Sequence, residues 1–348
     1  MPAWAYADVG LFRAMGERVF ARSWQLVADT DRVRVPGWAC PITFAEGLLD
    51  EPLLLTRDGH DRLHCVSNVC THRGNLVCES EGAASVLRCR YHGRRFGLDG
   101  RFLSMPEFDD VAGFPSEADH LRAVQLGTWE TLIFAALDPL VPLDDYLAPV
   151  RARCEWMPLS RATFDPTRSR DYLVRANWAL YCDNYLEGFH IPYVHHGLAG
   201  ALDYANYRTE LFDWGNLQVG IASPGDGEDV FDLPSSSPDC GQRIAGYYFW
   251  LFPNLMLNFY PWGLSVNIVK PLAIDRTKVT FLAYVWDASK LDSGAGASLD
   301  RVEREDEQIV ETVQRGMRSR LYSRGRYSPA REACVHHFHR LLAHTLWA

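Results

Sequence analysis

The chain carries no mark of export or of membrane insertion. Its first residues, MPAWAYADVGLFRAMGERVF, contain no basic stretch leading into an apolar core, and no run of eighteen apolar residues occurs among the 348. A cytoplasmic protein with no membrane partner is the expectation. Positive charge is also in short supply: 35 Lys and Arg stand against 44 Asp and Glu, a formal net charge of −9. Phosphate binding needs a basic surface, so the balance argues against nucleic acid as a partner, while a cationic small molecule is compatible. No Gly-x-Gly-x-x-Gly turn follows a strand, because GDG and GAG lie in polar loops and lack the third glycine. The nine cysteines are an odd count without framework spacing, which points to reduced thiols rather than a disulfide scaffold. There is no internal repeat.

What is present is a well-cored chain, 47% hydrophobic and 12% aromatic, longer than one domain usually is, so two domains are expected. Val9, Phe12, Met15, Val19, Phe20 and Trp24 fall at roughly helical intervals and predict one amphipathic helix over residues 5–24. From Leu26 to Pro139, short apolar runs such as LLLT and TLIFAAL alternate with turn residues, the texture of a small β-domain. Beyond LDPLVP, helices are expected near 142–152, 177–190 and 299–320, and strands near 171–176, 244–259, 263–270 and 277–286. The fold class is therefore α+β, divided as 1–24, 25–139 and 140–348. The polar, breaker-rich segment 223–241 reads as a mobile lid or a disordered insertion, and DSGAGAS as a plain linker.

Two short segments in the β region answer each other. CTHRG at 70–74 gives Cys70-x-His72; sixteen residues later CRYHG at 89–93 gives Cys89-x-x-His92, and Gly74 and Gly93 follow the histidines. Glycine lets a loop fold tightly around an inorganic centre. Zinc fingers usually pair cysteines on one loop and histidines on a helix, whereas here each loop brings one of each. That division suits a Rieske [2Fe–2S] centre, with two thiolates on one iron and two imidazoles on the other; a zinc site is the alternative.

The stretch NWALYCDNYLEGFHIPYVHH at 177–196 is the second cluster of potential ligands. On a helix, Asp183, Glu187 and His190 would share a face, and Pro192 ends that helix so that His195 comes from the following turn. Two histidines and a carboxylate form the facial triad of non-haem Fe(II), with positions left open for O₂. In RVEREDEQIVETVQ, Val302, Ile309, Val310 and Val313 define an apolar stripe on which Asp306 sits, while Glu303, Glu305 and Glu307 are expected to point toward solvent. A buried carboxylate needs a cation or a metal; an Arg ion pair is the alternative to iron for Asp306. An electron carrier beside a mononuclear iron is what reductive O₂ activation requires.

With these residues in hand, the chain resembles the α subunits of Rieske non-haem iron oxygenases, and within them the choline monooxygenase branch that oxidises quaternary-ammonium compounds. The motifs that carry the resemblance are CTHRG, CRYHG, CDNYLEGFHIPYVHHGLA, PNLMLNFYPWGLSVN, EDEQIVETVQRGMRSRLYSRGRYS and HHFHRLL. The resemblance implies an all-β Rieske domain inserted after a first helix, then a helix-grip-like catalytic domain with a central antiparallel sheet. It implies that Cys70, His72, Cys89 and His92 hold the cluster, that His190, His195 and Asp306 hold iron, and that Glu187 is the acid linking an iron-ligand histidine to a cluster histidine. Asn184, and Asp183 beside it, are further candidates on the iron face. It further implies a homotrimer and a separate flavin and iron–sulfur reductase. Arg90 and Arg94 stand where family members often have Pro and Trp.

A quaternary ammonium donates no hydrogen bond, so aromatic faces, helped by a nearby carboxylate, must recognise it. Tyr181, Tyr185, Phe189, Trp250, Phe259 and Trp262 are the candidates, among aromatics that are otherwise core. The implied reaction is O₂-dependent hydroxylation next to a cationic nitrogen, or N-demethylation. A ring-hydroxylating oxygenase of an aromatic acid or hydrocarbon is the competing reading, and a pure electron carrier a third.

Overall fold

The computed structural model describes residues 1–195, 206–222, 230–291, 293–297 and 299–347. The chain forms two compact units, Phe20–Leu140 and, around that insertion, Met1–Val19 with Val141–Ala348. Among the described residues no helix is long and apolar enough to cross a membrane.

The inserted unit is built from three small antiparallel sheets. Leu63–Ser67, Glu51–Arg57, Trp38–Phe44 and Gly82–Ala83 form one; Gln25–Asp29, Leu132–Ala136 and Gln125–Trp129 the second; Leu87–Arg88, Arg95–Phe96 and Phe102–Ser104 the third. Short strands broken by turns are what the alternating apolar runs demanded. Leu54, Val66, Leu87 and Phe96 pack with Cys70 and Cys89 into one of its cores.

The larger unit is organised by a seven-stranded antiparallel sheet in the order Thr163–Val174, Arg276–Val285, Gly263–Ala273, Leu255–Tyr260, Ile244–Leu251, Gly215–Ile221, Arg208–Phe212. The α+β architecture with a large antiparallel sheet is the one expected. Residues 244–259, expected as one strand, are instead a hairpin that turns at 252–254, where Pro253 cannot donate to a ladder. The expected first helix is broken as well: a 3₁₀ turn at Ala3–Tyr6 and an α-helix at Val9–Met15 lead into a π-helical stretch at Gly16–Phe20. Of the segment 223–241, residues 223–229 lie outside the described part of the chain. The remainder is neither lid nor disorder, because buried Asp239 accepts from Arg153 at 2.5 Å and from Tyr247 at 2.9 Å and pairs with Arg208. DSGAGAS is not a plain linker either. It contains a 3₁₀ turn at Gly294–Gly296, and a Cβ on Gly296 would lie 2.3 Å from the Trp262 indole nitrogen.

Candidate metal centres and active site

In the smaller unit, CTHRG and CRYHG fold into two loops of one design. The Cys70 N–H donates to the Asn75 carbonyl at 2.8 Å, and the Gly74 N–H to the Cys70 carbonyl at 3.0 Å. In the second loop the Cys89 N–H donates to Arg94 at 2.9 Å and the Gly93 N–H to Cys89 at 3.1 Å. Gly74 and Gly93 have φ of 72° and 77°, a region costly to a side chain. Each loop thereby turns its cysteine inward. The Cys70 and Cys89 thiols hydrogen-bond each other, and the His72 and His92 rings meet edge to face at 4.7 Å. Two thiols and two imidazoles brought together in this way fit a Rieske cluster better than zinc, whose structural sites group like ligands. The Cys89 thiol is held below its ordinary pKa: burial raises it, but N–H groups of Tyr91 and His92 and the Asn75 amide at 3.6 Å favour the thiolate. Arg90 and His92 are exposed, whereas Arg94 is buried, 2.5 Å from Asp119 and stacked over Phe96, Phe102 and Phe114. Arg94 is therefore a core residue.

In the larger unit, three side chains distant in sequence converge. His190 Nε2 and His195 Nε2 lie 3.2 Å apart, and Asp306 Oδ1 lies 3.4 and 3.1 Å from them. Two metal bonds of about 2.1 Å at a right angle put their ligand atoms about 3 Å apart, so the trio fits a facial iron site. Its ligand atoms all lie within 4.8 Å of one another, as one ion requires. The helix Trp178–Tyr185 starts at Asn177, whose side chain accepts from the Ala179 N–H while its own N–H donates to Gln314 on the helix Leu299–Met317. That cap ties the helix that precedes His190 and His195 to the helix that carries Asp306. Burial lowers the basicity of His190, but hydrogen bonds to Asp306 and Glu187 more than offset it and raise the pKa to about 9.

Each histidine has a carboxylate behind it. Glu187 accepts from the His190 backbone N–H at 3.0 Å and meets Nδ1 at 2.8 Å; Glu305 meets His195 Nδ1 at 2.7 Å. A proton held on Nδ1 leaves Nε2 as the ligand. Asn184 donates to Asp306 Oδ1 at 2.7 Å. Two sequence expectations need correction here. The helix ends at Tyr185 rather than 190, so Asp183 does not join Glu187 and His190 but accepts from Tyr6 at 2.5 Å and pairs with His339 at 2.7 Å. Glu303 does not face solvent and Glu305 does so only in part: Glu305, its side chain 34% exposed, supports His195, and Glu303 is 3% exposed and accepts from Tyr181 at 2.6 Å. Instead, Ile309 and Val313 of the expected buried stripe are partly exposed.

A cavity of about 130 Å³ opens on the trio. Tyr181 and Tyr185 line it, as expected; Phe189, Trp250, Phe259 and Trp262 do not. Phe189 is 42% exposed, and Phe259 faces the other side of the sheet against Phe249. Trp250 packs beneath Phe338, and Trp262 backs the wall by stacking on Tyr260. The wall residues missed are Tyr207 and Phe281; Tyr248 and Tyr260 also line it, from the aromatic-rich strands that the sequence places at the pocket wall. Gln218, Tyr248, Asn258 and Ser265 are successive cross-strand partners, so they form one row across the sheet face. A second cavity, of about 290 Å³, reaches Asn184, Glu187 and His190 and is also lined by Asp183, Ile309, Val313 and Tyr322.

The family comparisons agree with this chemistry. Residues 159–346 match the ring hydroxylating alpha subunit (catalytic domain) and residues 23–115 the Rieske [2Fe-2S] domain. The chain is similar to choline monooxygenase of Arabidopsis thaliana, 31% identical over 99% of this chain and 82% of that one. It is similar also to the carnitine monooxygenase oxygenase subunit of Escherichia coli, 30% identical over 99% and 92%. Among solved structures, the quaternary ammonium Rieske monooxygenase CntA superposes with a TM-score of 0.77 at 23% identity, over 99% and 94% of the two chains. Naphthalene 1,2-dioxygenase from Rhodococcus gives the same TM-score at 20%, with the same coverage, so the fold alone does not distinguish the substrates. An inserted β unit with a paired Cys–His loop set, a catalytic unit with two histidines and a carboxylate, and matches along both make this chain a member of the Rieske non-haem iron oxygenase family, an O₂-using enzyme with a [2Fe–2S] cluster and a mononuclear iron.

Proposed function

We propose that the chain is the terminal oxygenase component that hydroxylates, or oxidatively N-demethylates, a quaternary-ammonium or related amine of the choline or betaine kind. The observation that carries this reading is the cavity beside His190, His195 and Asp306, walled by Tyr181, Tyr185, Tyr207, Tyr248, Tyr260 and Phe281. Electron-rich rings around a cavity suit a cation that offers no hydrogen bond. The relatives named for choline and carnitine support the same substrate class. Turnover with a panel of quaternary amines and aromatic acids tests it: oxidation of the acids alone would sink the proposal.

Cys70, His72, Cys89 and His92 hold the cluster, and His190, His195 and Asp306 the mononuclear iron. When bound, the cluster supplies single electrons and the iron activates O₂. Glu187 fixes the His190 ring through Nδ1, Glu305 fixes His195, and Asn184 orients the Asp306 oxygen. The tyrosine wall surrounds the reacting C–H bond with aromatic rings. Purified protein should contain about three irons per chain, two in the cluster and one at the trio.

The working assembly is a cytoplasmic homotrimer fed by a separate flavin and iron–sulfur reductase, with the cluster of one subunit serving the iron of the next. Exposed His92 and Tyr91 on the smaller unit support it, as do exposed Ile309, Val313 and Tyr322 around the second cavity, which leads to Glu187. Cys89→Ser and Asp306→Ala proteins should each be inactive, and their co-expressed mixed oligomers should regain part of the activity. Inactive mixed oligomers with their intact sites occupied would count against transfer between subunits.

A further inference from the structure

The cavity contains a carboxyl group that the iron site does not use; burial pushes its pKa well above the usual carboxylate range, and a cation beside it would favour the charged form. Three carboxylates line it: Glu187, Asp306 and Glu303. Glu187 is taken up by His190, and Asp306 by the two histidines and Asn184. Glu303 differs. Its Oε2 accepts from the Tyr181 hydroxyl, but its Oε1 is buried without a hydrogen-bond partner. A carboxyl placed like this is costly unless a cation or donor completes it. Supporting Tyr181 needs only the first oxygen, so that role leaves Oε1 unexplained.

No Lys or Arg lines the cavity among the described residues. Residues 196–205 and 223–229, HGLAGALDYA and SPGDGED, contain neither in their sequence. The floor opposite the iron ligands is polar but uncharged, with Gln218, Asn258, Ser265 and Asn267. A substrate carboxylate would thus enter a chamber holding three acidic side chains, two histidines committed to the iron site, and no Lys or Arg among the described residues. A cation with a neutral hydroxyl tail would meet a carboxylate, aromatic faces and amide groups.

Building on the quaternary-ammonium reading, we infer that Glu303 is the counter-ion of the substrate's ammonium group, and that the pocket selects a cation with an uncharged tail over a zwitterion. Glu303 is thereby a specificity-determining residue, and it lies one helical turn before the proposed iron ligand Asp306 on the same helix.

Calorimetry on the anaerobic, iron-loaded enzyme tests this with three probes: choline, its neutral carbon isostere 3,3-dimethylbutan-1-ol, and L-carnitine. Choline should bind wild type about tenfold or more tighter than either of the others. Glu303→Gln keeps an acceptor for Tyr181 and should bring choline down to the affinity of the isostere, with the isostere itself unchanged. Carnitine binding wild type as tightly as choline would overturn the inference, and so would equal weakening of choline and isostere by the variant, which marks a purely structural glutamate. Both of these results leave the quaternary-ammonium reading standing. That reading, and the inference with it, fails if neither cation binds wild type better than the isostere. Should Glu303→Gln not fold, the wild-type ranking of choline over carnitine still decides.

Discussion

The two metal-binding regions of this chain are built by opposite means. In the smaller unit, the four proposed ligands come from two loops of five residues each, and each loop is closed by its own backbone hydrogen bonds and a left-handed glycine. In the larger unit, His190 and His195 follow a helix that stops early, and Asp306 arrives from a helix more than a hundred residues later. The first site is a local motif twice repeated; the second is an agreement between distant elements, held by the Asn177–Gln314 and Asn184–Asp306 bonds. A local site depends on turn chemistry. A distributed site depends on packing and on the residues behind the ligands.

The largest test of that contrast removes one ligand from each site. Asp306→Ala should abolish turnover and the mononuclear iron while the visible Rieske spectrum survives, and Cys89→Ser should do the reverse to the metals with the same loss of activity. Loss of both metals in either variant, by iron analysis and absorption, would mean the two regions are not independent. Next in size, Glu187→Gln should keep both metals, because Gln still reaches His190, yet turn over far more slowly in steady-state assays. Full activity would reduce Glu187 to scaffolding.

Glu305→Ala probes the distributed site from behind. It should weaken iron binding about 10–100-fold in a competition assay by freeing the His195 ring, with the cluster unaffected. The smallest effect is expected in the smaller unit away from its ligands. Arg94→Met removes one partner of Asp119, which keeps its bonds from Ser116, and should lower stability by about 1–3 kcal/mol in denaturant unfolding, with the cluster still assembled. Cluster loss from this one substitution would show that the loops lean on the core more than their own hydrogen bonds suggest.

The cluster loops were legible because every ligand lies within a few residues of a glycine that sets its turn, and the α+β class because apolar periodicity is itself local. Asp306 was legible for a related reason: a carboxylate on the apolar stripe of its own helix stands out. The same stripe misled for Glu303 and Glu305, since helical periodicity fixes which residues share a face but not how far the burying partners extend. Tyr181 and His195, from elsewhere in the chain, engage the two glutamates and Glu303 is buried, while Ile309 and Val313 remain partly exposed. Asp183 was misplaced because one helix was extended past Tyr185. The cavity wall was the least readable part. Alternation on a strand gives two faces, but only the pairing of Gln218, Tyr248, Asn258 and Ser265 across four strands, and the helix packed over Trp250, decides which aromatics meet a ligand and which are core. The sequence by itself determined the chemistry available, because ligand type and turn geometry are encoded within short stretches. The tertiary structure decided which side chains surround the substrate, because that depends on register and packing between residues far apart in the chain.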